Sequence, residues 1–374
     1  MKILLIQGGF GAGGAEKVMA TLAAHRADIG DDVHVAAMTM PEAGSFFAYP
    51  PEVQLHVLDG PARNLPAALL QPRRTRAIRR LIGDLRPDMI VSFLTKVNCL
   101  TLLAATGTGV PVVVSERNNP AAQSGRFWNR LQTSLLPRAA GIAMQTGSAA
   151  ADLPEAQRIR AHVIPNPCLP VAFTPAPSAE VFRFVAVGRL DPQKGFDLLI
   201  EAFAALPPDL PVQLQIFGEG HQRSQLQSLI ETRRLTGRVE LAGLAPTAAD
   251  WLGAGDALVI SSRFEGFSNV LAEATCSGLP VVAFDCPYGV SDMLRDEENG
   301  LLVRNGDVPA LTTAMARLAS EPALQDRLSQ AGWIMADRLD PSRIMAQWDA
   351  LIVEAASDAR VARRPHPADS APSS

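Results

Sequence analysis

The sequence predicts an α/β protein with two doubly wound, Rossmann-like domains that face a central cleft, and three observations support this prediction. The chain has 374 residues, which is enough for two domains with separate cores. Apolar runs of strand length alternate with helical patterns, which is typical of parallel sheets covered on both faces. The alternation restarts after a proline-rich segment at residues 165–180, which is predicted to link the domains.

The predicted strands are short apolar runs. In the first half they are KILLIQ, VHVAAM, MIVSFL, VVVSE, GIAMQT and HVIP. In the second half they are FRFVAVG, VQLQIFG, RVELAG, ALVISS, PVVAFD and GLLV. Amphipathic patterns such as AEKVMATLAAHRAD and KGFDLLIEAFAAL predict helices between most of them. Ligands bind beyond the carboxyl ends of the strands in such sheets, so we expect the functional site there.

The same patterns suggest domain boundaries. We expect an N-terminal domain at residues 1–170 and a C-terminal domain at residues 178–340. The amphipathic stretch at 341–357 is expected to form a helix that packs back on the N-terminal domain. The end of the chain, 358–374, is rich in Ala, Arg, Pro and Ser and predicts a disordered tail.

The composition argues against several classes of protein. A hydrophobic content of 47% with 19% charged residues indicates a folded globular chain. No apolar run reaches the ~18 residues of a membrane span, and the N-terminal run is too short for a signal peptide, so we expect a cytoplasmic location. The four cysteines lack C-x-x-C spacing and the six histidines lack H-x-x-x-H spacing, which argues against disulfides and a zinc site.

The charge is divided unevenly along the chain. Residues 1–165 contain 17 Lys and Arg against 12 Asp and Glu, a net charge of +5, although the whole chain carries −4. The remaining residues therefore carry a net charge of −9. This asymmetry predicts that the N-terminal half meets an anionic partner.

The segment from Ser261 to Asp285 carries the most informative pattern. It places Glu265 and Glu273 eight residues apart across a turn from a buried strand into a helix, NVLAEATC, with Ser268 as a natural N-cap. The start of such a helix favours a phosphate, bound by the backbone amides of Gly266, Phe267, Ser268, Asn269 and Val270. Glu273 is then placed to hold ribose hydroxyls and Glu265 to reach a sugar. The alternative is an ordinary helix with two solvated acids.

Two basic residues follow a strand in the segment GRLDPQKG. Gly188 ends the strand, and Arg189 and Lys194 precede the next helix. Because Arg and Lys neutralise phosphate oxygens, this loop predicts a group that stabilises a leaving diphosphate. The alternative is a charged surface loop. The sequence contains no D-x-D triplet, so we expect the basic pair to act in place of a metal ion.

Other strand ends add candidates to the site. The glycines of QGGFGAGGAEKV permit a close backbone approach, and Gly13 and Gly14 are expected near the donor phosphate. In VVVSERNNP four polar residues, 115–118, follow a strand, and Glu116 and Arg117 are candidate catalytic residues. Backbone near Gly243, at the end of RVELAG, is expected beside a nucleobase, with a tight turn as the alternative.

A basic amphipathic helix is predicted in QPRRTRAIRRLIGDLR. Arg73, Arg76 and Arg80 fall on one face and the apolar residues on the other. Such a face predicts contact with anionic lipid or phosphate, and a solvated arginine face is the alternative. No aromatic residues interleave with the arginines, so nucleic acid is not an expected partner.

These motifs together resemble one family of enzymes. GRLDPQKGFDLLIEAF, IFGEG, EGFSNVLAEATCSGLPVV and GLLV look like the retaining glycosyltransferases of family four, which have the GT-B fold. The resemblance extends from GGAEKV to the last predicted helix. VSERNNP and CPYGVSD resemble the bacterial subgroup that builds exopolysaccharide, lipopolysaccharide or lipid-linked oligosaccharide and includes N-acetylgalactosaminyl transferases.

The resemblance implies roles for individual residues. It implies a UDP-sugar donor and no cofactor, with Arg189 and Lys194 on the diphosphate, Glu273 on the ribose and Glu265 near the sugar. Many family members carry a His where this chain has Ser115 and Glu116, so Glu116 or Arg117 is expected to replace it.

The resemblance also implies partners and leaves two alternatives. The acceptor is expected to be a lipid-linked glycan, met by a peripheral protein on the inner face of the cell membrane. A nucleotide-sugar epimerase of the same fold would act without an acceptor. A non-catalytic sugar-binding module would lose the charged residues that this chain keeps.

Overall fold

The computed structural model describes four stretches of the chain, residues 1–59, 67–117, 125–174 and 180–362. The chain divides into two compact units. The first contains Met1–Gln145, Ala150–Ile164 and Met345–Ser374, and the second contains Thr146–Ala149 and Pro165–Ile344. Each unit has one parallel sheet, and helices connect all of its successive strands except the second and third strands of the first unit, so the prediction of two doubly wound parallel-sheet domains is confirmed.

The sheet of the first unit has seven strands in the order β3-β2-β1-β4-β5-β6-β7. Their bounds are β1 Lys2–Gly9, β2 Asp32–Thr39, β3 Gln54–Val57, β4 Met89–Phe93, β5 Val112–Glu116, β6 Gly141–Met144 and β7 Ala161–Val163. The central strands are buried on both faces, which explains their uninterrupted apolar sequences. The strand order reverses between β1 and β4, so their carboxyl ends form the switch point where ligands bind in open α/β sheets.

The six strands predicted in this half are present, and β3 is an additional strand. β3 lies at the edge of the sheet, and three of its four side chains are exposed. A short edge strand needs no continuous apolar run, so the sequence pattern does not reveal it.

The helices of the first half lie in the connections between strands. They are α1 Gly14–Asp28, α2 Ala67–Leu85, α3 Thr95–Ala105, α4 Arg126–Leu135, α5 Gly147–Ala151 and α6 Glu155–Arg158. In α2, Ile78 and Ile82 are buried, while Arg76 and Arg80 on the opposite face are exposed. The predicted amphipathic helix is therefore present.

The sheet of the second unit has six strands in the order β10-β9-β8-β11-β12-β13, and all six are predicted by the sequence. Their bounds are β8 Phe182–Val187, β9 Val212–Phe217, β10 Val239–Gly243, β11 Ala257–Ile260, β12 Val281–Asp285 and β13 Leu301–Arg304. Successive residues of β8, Phe184 and Val185, belong to different buried clusters. Because strand side chains alternate between faces, the sheet is covered on both sides.

The later helices complete this half of the chain. They are α7 Phe196–Ala204, α8 Arg223–Thr232, α9 Ala248–Ala254, α10 Asn269–Cys276, α11 Val290–Met293, α12 Val308–Ser320, α13 Pro322–Gly332, α14 Ile334–Arg338 and α15 Pro341–Ala362. Helix α15 continues beyond the predicted end at residue 357, and the rest of the predicted tail, 363–374, lies outside the described residues.

Helix α15 buries its apolar face in the first unit. The fully buried ring of Trp348 stacks on Phe93 at the end of β4, with 5.6 Å between ring centroids. Asp349 accepts hydrogen bonds from His25 and Arg26 at the end of α1, at 2.8 and 2.7 Å. These contacts attach the C-terminal helix to residues from the beginning of the chain.

Among the described helices, we find none that combines the length and the apolar character that a membrane span requires.

Candidate functional site

In the second unit, the loop after β8 lies directly on the loop after β11. Asp191 accepts a hydrogen bond from the amide of Gln193 at 3.1 Å and so begins a short 3-10 turn, Pro192–Lys194. The turn ends at Gly195 with φ of +62°, where a side chain would overlap the carbonyl oxygen of Ser261. Only glycine permits this approach.

This contact brings Lys194 and Glu265 together from positions that are 71 residues apart in the chain. The Lys194 Nζ donates to Glu265 Oε1 at 2.7 Å, and the hydroxyl of Ser262 donates to the same oxygen at 2.6 Å. Glu265 is only 4% exposed. A buried carboxylate needs such a cation and hydrogen bonds, so the pair fixes the position of the lysine.

The predicted phosphate-binding turn at the start of α10 has the expected cap. The Ser268 hydroxyl accepts from the amide of Leu271 at 3.4 Å, and the helix spans the predicted segment NVLAEATC. The side chains of Phe267 and Val270 pack against the apolar core of the unit. Asn269 accepts from Asn166 at 2.7 Å. These side chains are engaged with protein, so the backbone amides are the groups that a phosphate would meet.

Gly266 is covered by the loop after β12. Gly289 has φ of +82°, and a Cβ atom at that position would lie 2.7 Å from the carbonyl oxygen of Gly266. Burial, more than the nearby charge of Glu265, raises the pKa of Cys286 in the same loop to about 12. This cysteine is therefore a protonated core residue.

A cavity of about 340 Å³ opens beside these loops. The predicted residues Gly188, Arg189 and Glu273 line it, and its other lining residues are Val187, Phe217, Gly218, Glu219, Leu244, Ala245, Pro246, Thr247, Ala248 and Trp251. The side chain of Arg189 is 73% exposed, and its Nη2 lies 3.2 Å from Oδ2 of Asp191. The lining combines one cation, two carboxylates and an apolar wall, so it suits a ligand with an anionic group, hydroxyls and a planar ring.

Gly188 and Gly218 shape one wall of this cavity. Gly218 has φ of +143°, and a side chain there would overlap the carbonyl oxygen of Gly188. The amide of Gly218 also donates to the carbonyl oxygen of Gly243 at 2.7 Å. Gly243, expected beside a nucleobase, thus supports the wall through its backbone, and a role in base binding stays a prediction.

Three polar or aromatic residues, Glu219, Thr247 and Trp251, are among the cavity residues that were not candidates from sequence. Glu219 accepts from Arg223 at 2.8 Å, and Thr247 begins α9 with a capping box to Asp250. Trp251 is buried and lines the cavity. The only sequence signals are the acid inside FGEG and the T-x-x-D spacing, and both patterns are common in turns that bind nothing.

In the first unit, the side chains of Glu116 and Arg117 contact other side chains of the protein. Glu116 Oε2 accepts from Thr95 at 2.6 Å and from Gln132 at 3.1 Å. The guanidinium of Arg117 lies over the ring of Phe93 at 4.8 Å, and its burial lowers its pKa to about 9. Both side chains turn into the unit and do not project from the strand end. Their catalytic role stays a prediction, and the neighbouring Asn118 lies outside the described residues.

The other predicted residues of this unit are also placed by the structure. Gly13 is the N-cap of α1, which begins at Gly14, and the Glu16 carboxylate lies against Gly13. Arg73 is half-buried on α2. Among the residues that the structure describes, there is no cluster of three or more His, Cys, Asp or Glu side chains able to hold a metal ion.

Two family models match the chain. Residues 13–167 match the model described as "Glycosyl transferase 4-like domain", and residues 181–321 match "Glycosyl transferases group 1". The chain is 36% identical over 200 residues to an exopolysaccharide phosphotransferase of Streptomyces coelicolor, which covers 53% of this chain and 21% of that protein. The chain spans less than half of the length of several curated relatives.

A further relative aligns over most of its length. It is N-acetylgalactosamine-N,N'-diacetylbacillosaminyl-diphospho-undecaprenol 4-alpha-N-acetylgalactosaminyltransferase of Campylobacter jejuni, 29% identical over 78% of this chain and 83% of that protein.

The structure of Anabaena HepE, solved in complex with UDP, matches 94% of this chain and 100% of that chain with a TM-score of 0.78 and 20% identity. At that identity the match shows the fold, and it agrees with the predicted GT-B fold. Because the two family models together span both halves, the chain belongs to the glycosyltransferases of group 1 with a glycosyltransferase 4-like N-terminal domain.

Proposed function

We propose that this chain is a retaining glycosyltransferase that moves a hexose or N-acetylhexosamine from a UDP-sugar to a lipid-linked glycan or exopolysaccharide precursor. The observation that carries the proposal is the cavity that Arg189 and Glu273 line beside the Lys194–Glu265 pair. Two relatives support the acceptor class, since one is named as an exopolysaccharide phosphotransferase and the other as a transferase that acts on a diphospho-undecaprenol glycan. The UDP complex of Anabaena HepE supports the donor class.

Each charged residue has a proposed place on the donor. Glu273 accepts hydrogen bonds from the ribose hydroxyls, and Arg189 and the amides at the start of α10 hold the diphosphate. Lys194 is held by Glu265 and Ser262 and neutralises the diphosphate as it leaves. Glu265 also lies near the transferred sugar.

The proposed transfer needs no separate base from the protein. The acceptor hydroxyl oxygen forms a bond to the anomeric carbon on the face from which the bond to the phosphate oxygen breaks. UDP leaves with that bonding pair, and a phosphate oxygen takes the acceptor proton. The preorganised cations stabilise the charge that develops on UDP in this step.

A UDP-release assay tests the proposal. The purified chain is incubated with a panel of UDP-sugars, with and without lipid-pyrophosphate glycan acceptors, and the anomeric configuration of the product is read by NMR. We expect acceptor-dependent UDP release, a retained configuration and continued transfer in excess EDTA. The EDTA result is expected because the basic residues take the place of a metal ion.

Three results would contradict parts of this proposal. A new UDP-sugar epimer formed without acceptor would indicate the epimerase alternative. UDP-sugar binding without any release would indicate a binding module. Complete loss of transfer in EDTA, restored by magnesium or manganese, would show that a metal ion holds the diphosphate.

We also propose that Arg73, Arg76 and Arg80 on α2 contact an anionic membrane surface at the inner face of the cell membrane. Each basic residue near such a surface contributes about 1 kcal/mol, so reversing all three to Glu is expected to lower vesicle partition about a hundredfold. Co-sedimentation with phosphatidylglycerol vesicles measures this change, and UDP-sugar binding is expected to stay intact. The attraction should also weaken as salt rises.

A matched control reverses three exposed arginines of the second unit, Arg234, Arg295 and Arg304. This control changes the net charge equally and should keep vesicle binding close to that of the wild type. Equal losses in both triple variants would show that net charge alone matters. Normal sedimentation of the α2 variant would leave these arginines as a solvated face.

A further inference from the structure

A cluster of three polar side chains lies at the switch point of the first unit, beyond the end of β1. Gln7 is the last residue of β1 before its glycines and is 1% exposed. Its Nε2 donates to the hydroxyl of Tyr49 at 3.2 Å. Tyr49 comes from the connection between β2 and β3, and its ring packs edge-to-face on Phe10 at 5.9 Å. Packing therefore holds the phenol in one orientation.

The amide of Gln7 has an unused polar atom. Its Oε1 is buried and makes no hydrogen bond to any described residue. Turning the amide by 180° would exchange the two atoms and leave Nε2 without a partner instead. A buried polar atom without a partner costs free energy, and such atoms are uncommon unless a ligand or water completes them.

Glu16 adds a carboxyl group to the cluster. It lies in the first turn of α1 and folds back over Gly13. Burial raises the pKa of Glu16, and no Lys or Arg among the described residues forms an ion pair with it. Burial is also the main cause that raises the pKa of Tyr49 to about 12, and the charge of Glu16 adds to the effect. The charge of the Glu16 carboxyl therefore acts on the Tyr49 phenol.

The chemistry of this cluster selects one class of ligand. A phosphate bound at Gly13 would meet the Glu16 carboxylate with no paired cation to offset the repulsion. A neutral hydroxyl group can donate to the Glu16 carboxylate or Gln7 Oε1 and accept from Tyr49. An amide, a phenol and a carboxyl beside an aromatic ring are groups that suit a neutral, hydroxyl-rich molecule.

We propose that Gln7, Glu16 and Tyr49 form a hydroxyl-binding site that takes the acceptor sugar ring and determines which acceptor is used. This inference rests on the proposed transfer to a glycan acceptor. It assigns the glycine loop at Gly13 and Gly14 to the neutral acceptor instead of the donor phosphate.

Saturation-transfer NMR on the full chain tests the site. The probes are the methyl glycosides of glucose, N-acetylglucosamine and N-acetylgalactosamine, with inorganic pyrophosphate as the anionic probe. We expect at least one glycoside to bind the wild type. Tyr49→Phe and Gln7→Leu should each weaken that binding about tenfold, because each removes one hydrogen bond. Tyr49→Phe removes only a hydroxyl group, so folding is expected to survive even if Gln7→Leu unfolds the chain.

Two controls keep the readout specific. Gln54→Leu removes an exposed amide on β3 of the same unit and should leave glycoside binding unchanged. UDP affinity, measured by calorimetry, should be equal in all variants, because the donor cavity lies in the second unit. If the wild type did not bind UDP, the proposed donor would be contradicted, and the glycoside result would be unaffected.

Other outcomes would overturn the inference. Glycoside binding that is unchanged in both Tyr49→Phe and Gln7→Leu would place the sugar elsewhere. A wild type that binds UDP but none of the glycosides would refute the hydroxyl site alone. If pyrophosphate bound more tightly to Glu16→Gln and no glycoside bound at all, the glycine loop at Gly13 and Gly14 would be an anion-binding site instead.

Discussion

Lys194→Ala is expected to lower kcat about a hundredfold, because it removes a preorganised charge from the leaving diphosphate. The same change leaves the buried Glu265 carboxylate without its cation, so the second unit should lose about 3 kcal/mol of unfolding free energy. Turnover with a UDP-sugar and urea denaturation measure the two effects. This residue thus differs from a surface cation, whose removal would affect only turnover.

Two further variants separate the catalytic effect from the structural one. Lys194→Ala combined with Glu265→Gln removes the unpaired buried charge, so stability should recover while turnover stays low. Arg189→Ala removes a cation that is 73% exposed, and its turnover should fall about a hundredfold with little change in stability. Wild-type turnover in both Lys194→Ala and Arg189→Ala would refute the assignment of the diphosphate to this loop.

Gly218→Ala is expected to lower the unfolding free energy of the second unit by about 4 kcal/mol. Its backbone has φ of +143°, and a methyl group would overlap the carbonyl oxygen of Gly188. Both residues line the cavity, so UDP affinity should also fall. Denaturant unfolding and calorimetry with UDP measure the two losses.

Two other glycines serve as matched controls. Gly237 has φ of +85° with no atom within 4 Å of an added Cβ, so Gly237→Ala should cost only the backbone strain, about 1 kcal/mol. Gly83 lies inside helix α2 with similar free space, so Gly83→Ala should stabilise the first unit by about 0.5–1 kcal/mol. If Gly218→Ala cost no more than Gly237→Ala, the proposed overlap would have no energetic consequence.

Local patterns were sufficient for most of the fold. All twelve predicted strands are present, because parallel strands buried on both faces require uninterrupted apolar runs that are visible in sequence. Helix α10 and its Ser268 cap also follow the prediction, because capping depends on neighbouring residues. The edge strand β3 pairs with the preceding strand β2, and it could not be predicted because its side chains are mostly exposed and form no apolar run.

The individual residues of the candidate site show which contacts could not be predicted from the sequence. Arg189, in the loop after β8, and Glu273, inside helix α10, line the same cavity, and their roles on a donor stay predictions. No local pattern indicated that Lys194 binds Glu265, or that Glu219 and Trp251 complete the cavity wall. Glu116 and Arg117 look like exposed polar residues at a strand end, but they lie against Thr95, Gln132 and Phe93 inside the first unit.

The sequence by itself determined the two parallel-sheet domains, the family and the loops of the candidate site, because these depend on periodicity and short motifs. Only the tertiary structure decided which side chains of those loops meet. Lys194 and Glu265 come together because Gly195 allows two loops to touch, and Gln7 meets Tyr49 because the β2–β3 connection returns to the end of β1. Such contacts join residues far apart in the chain, and their geometry depends on packing that no local pattern encodes.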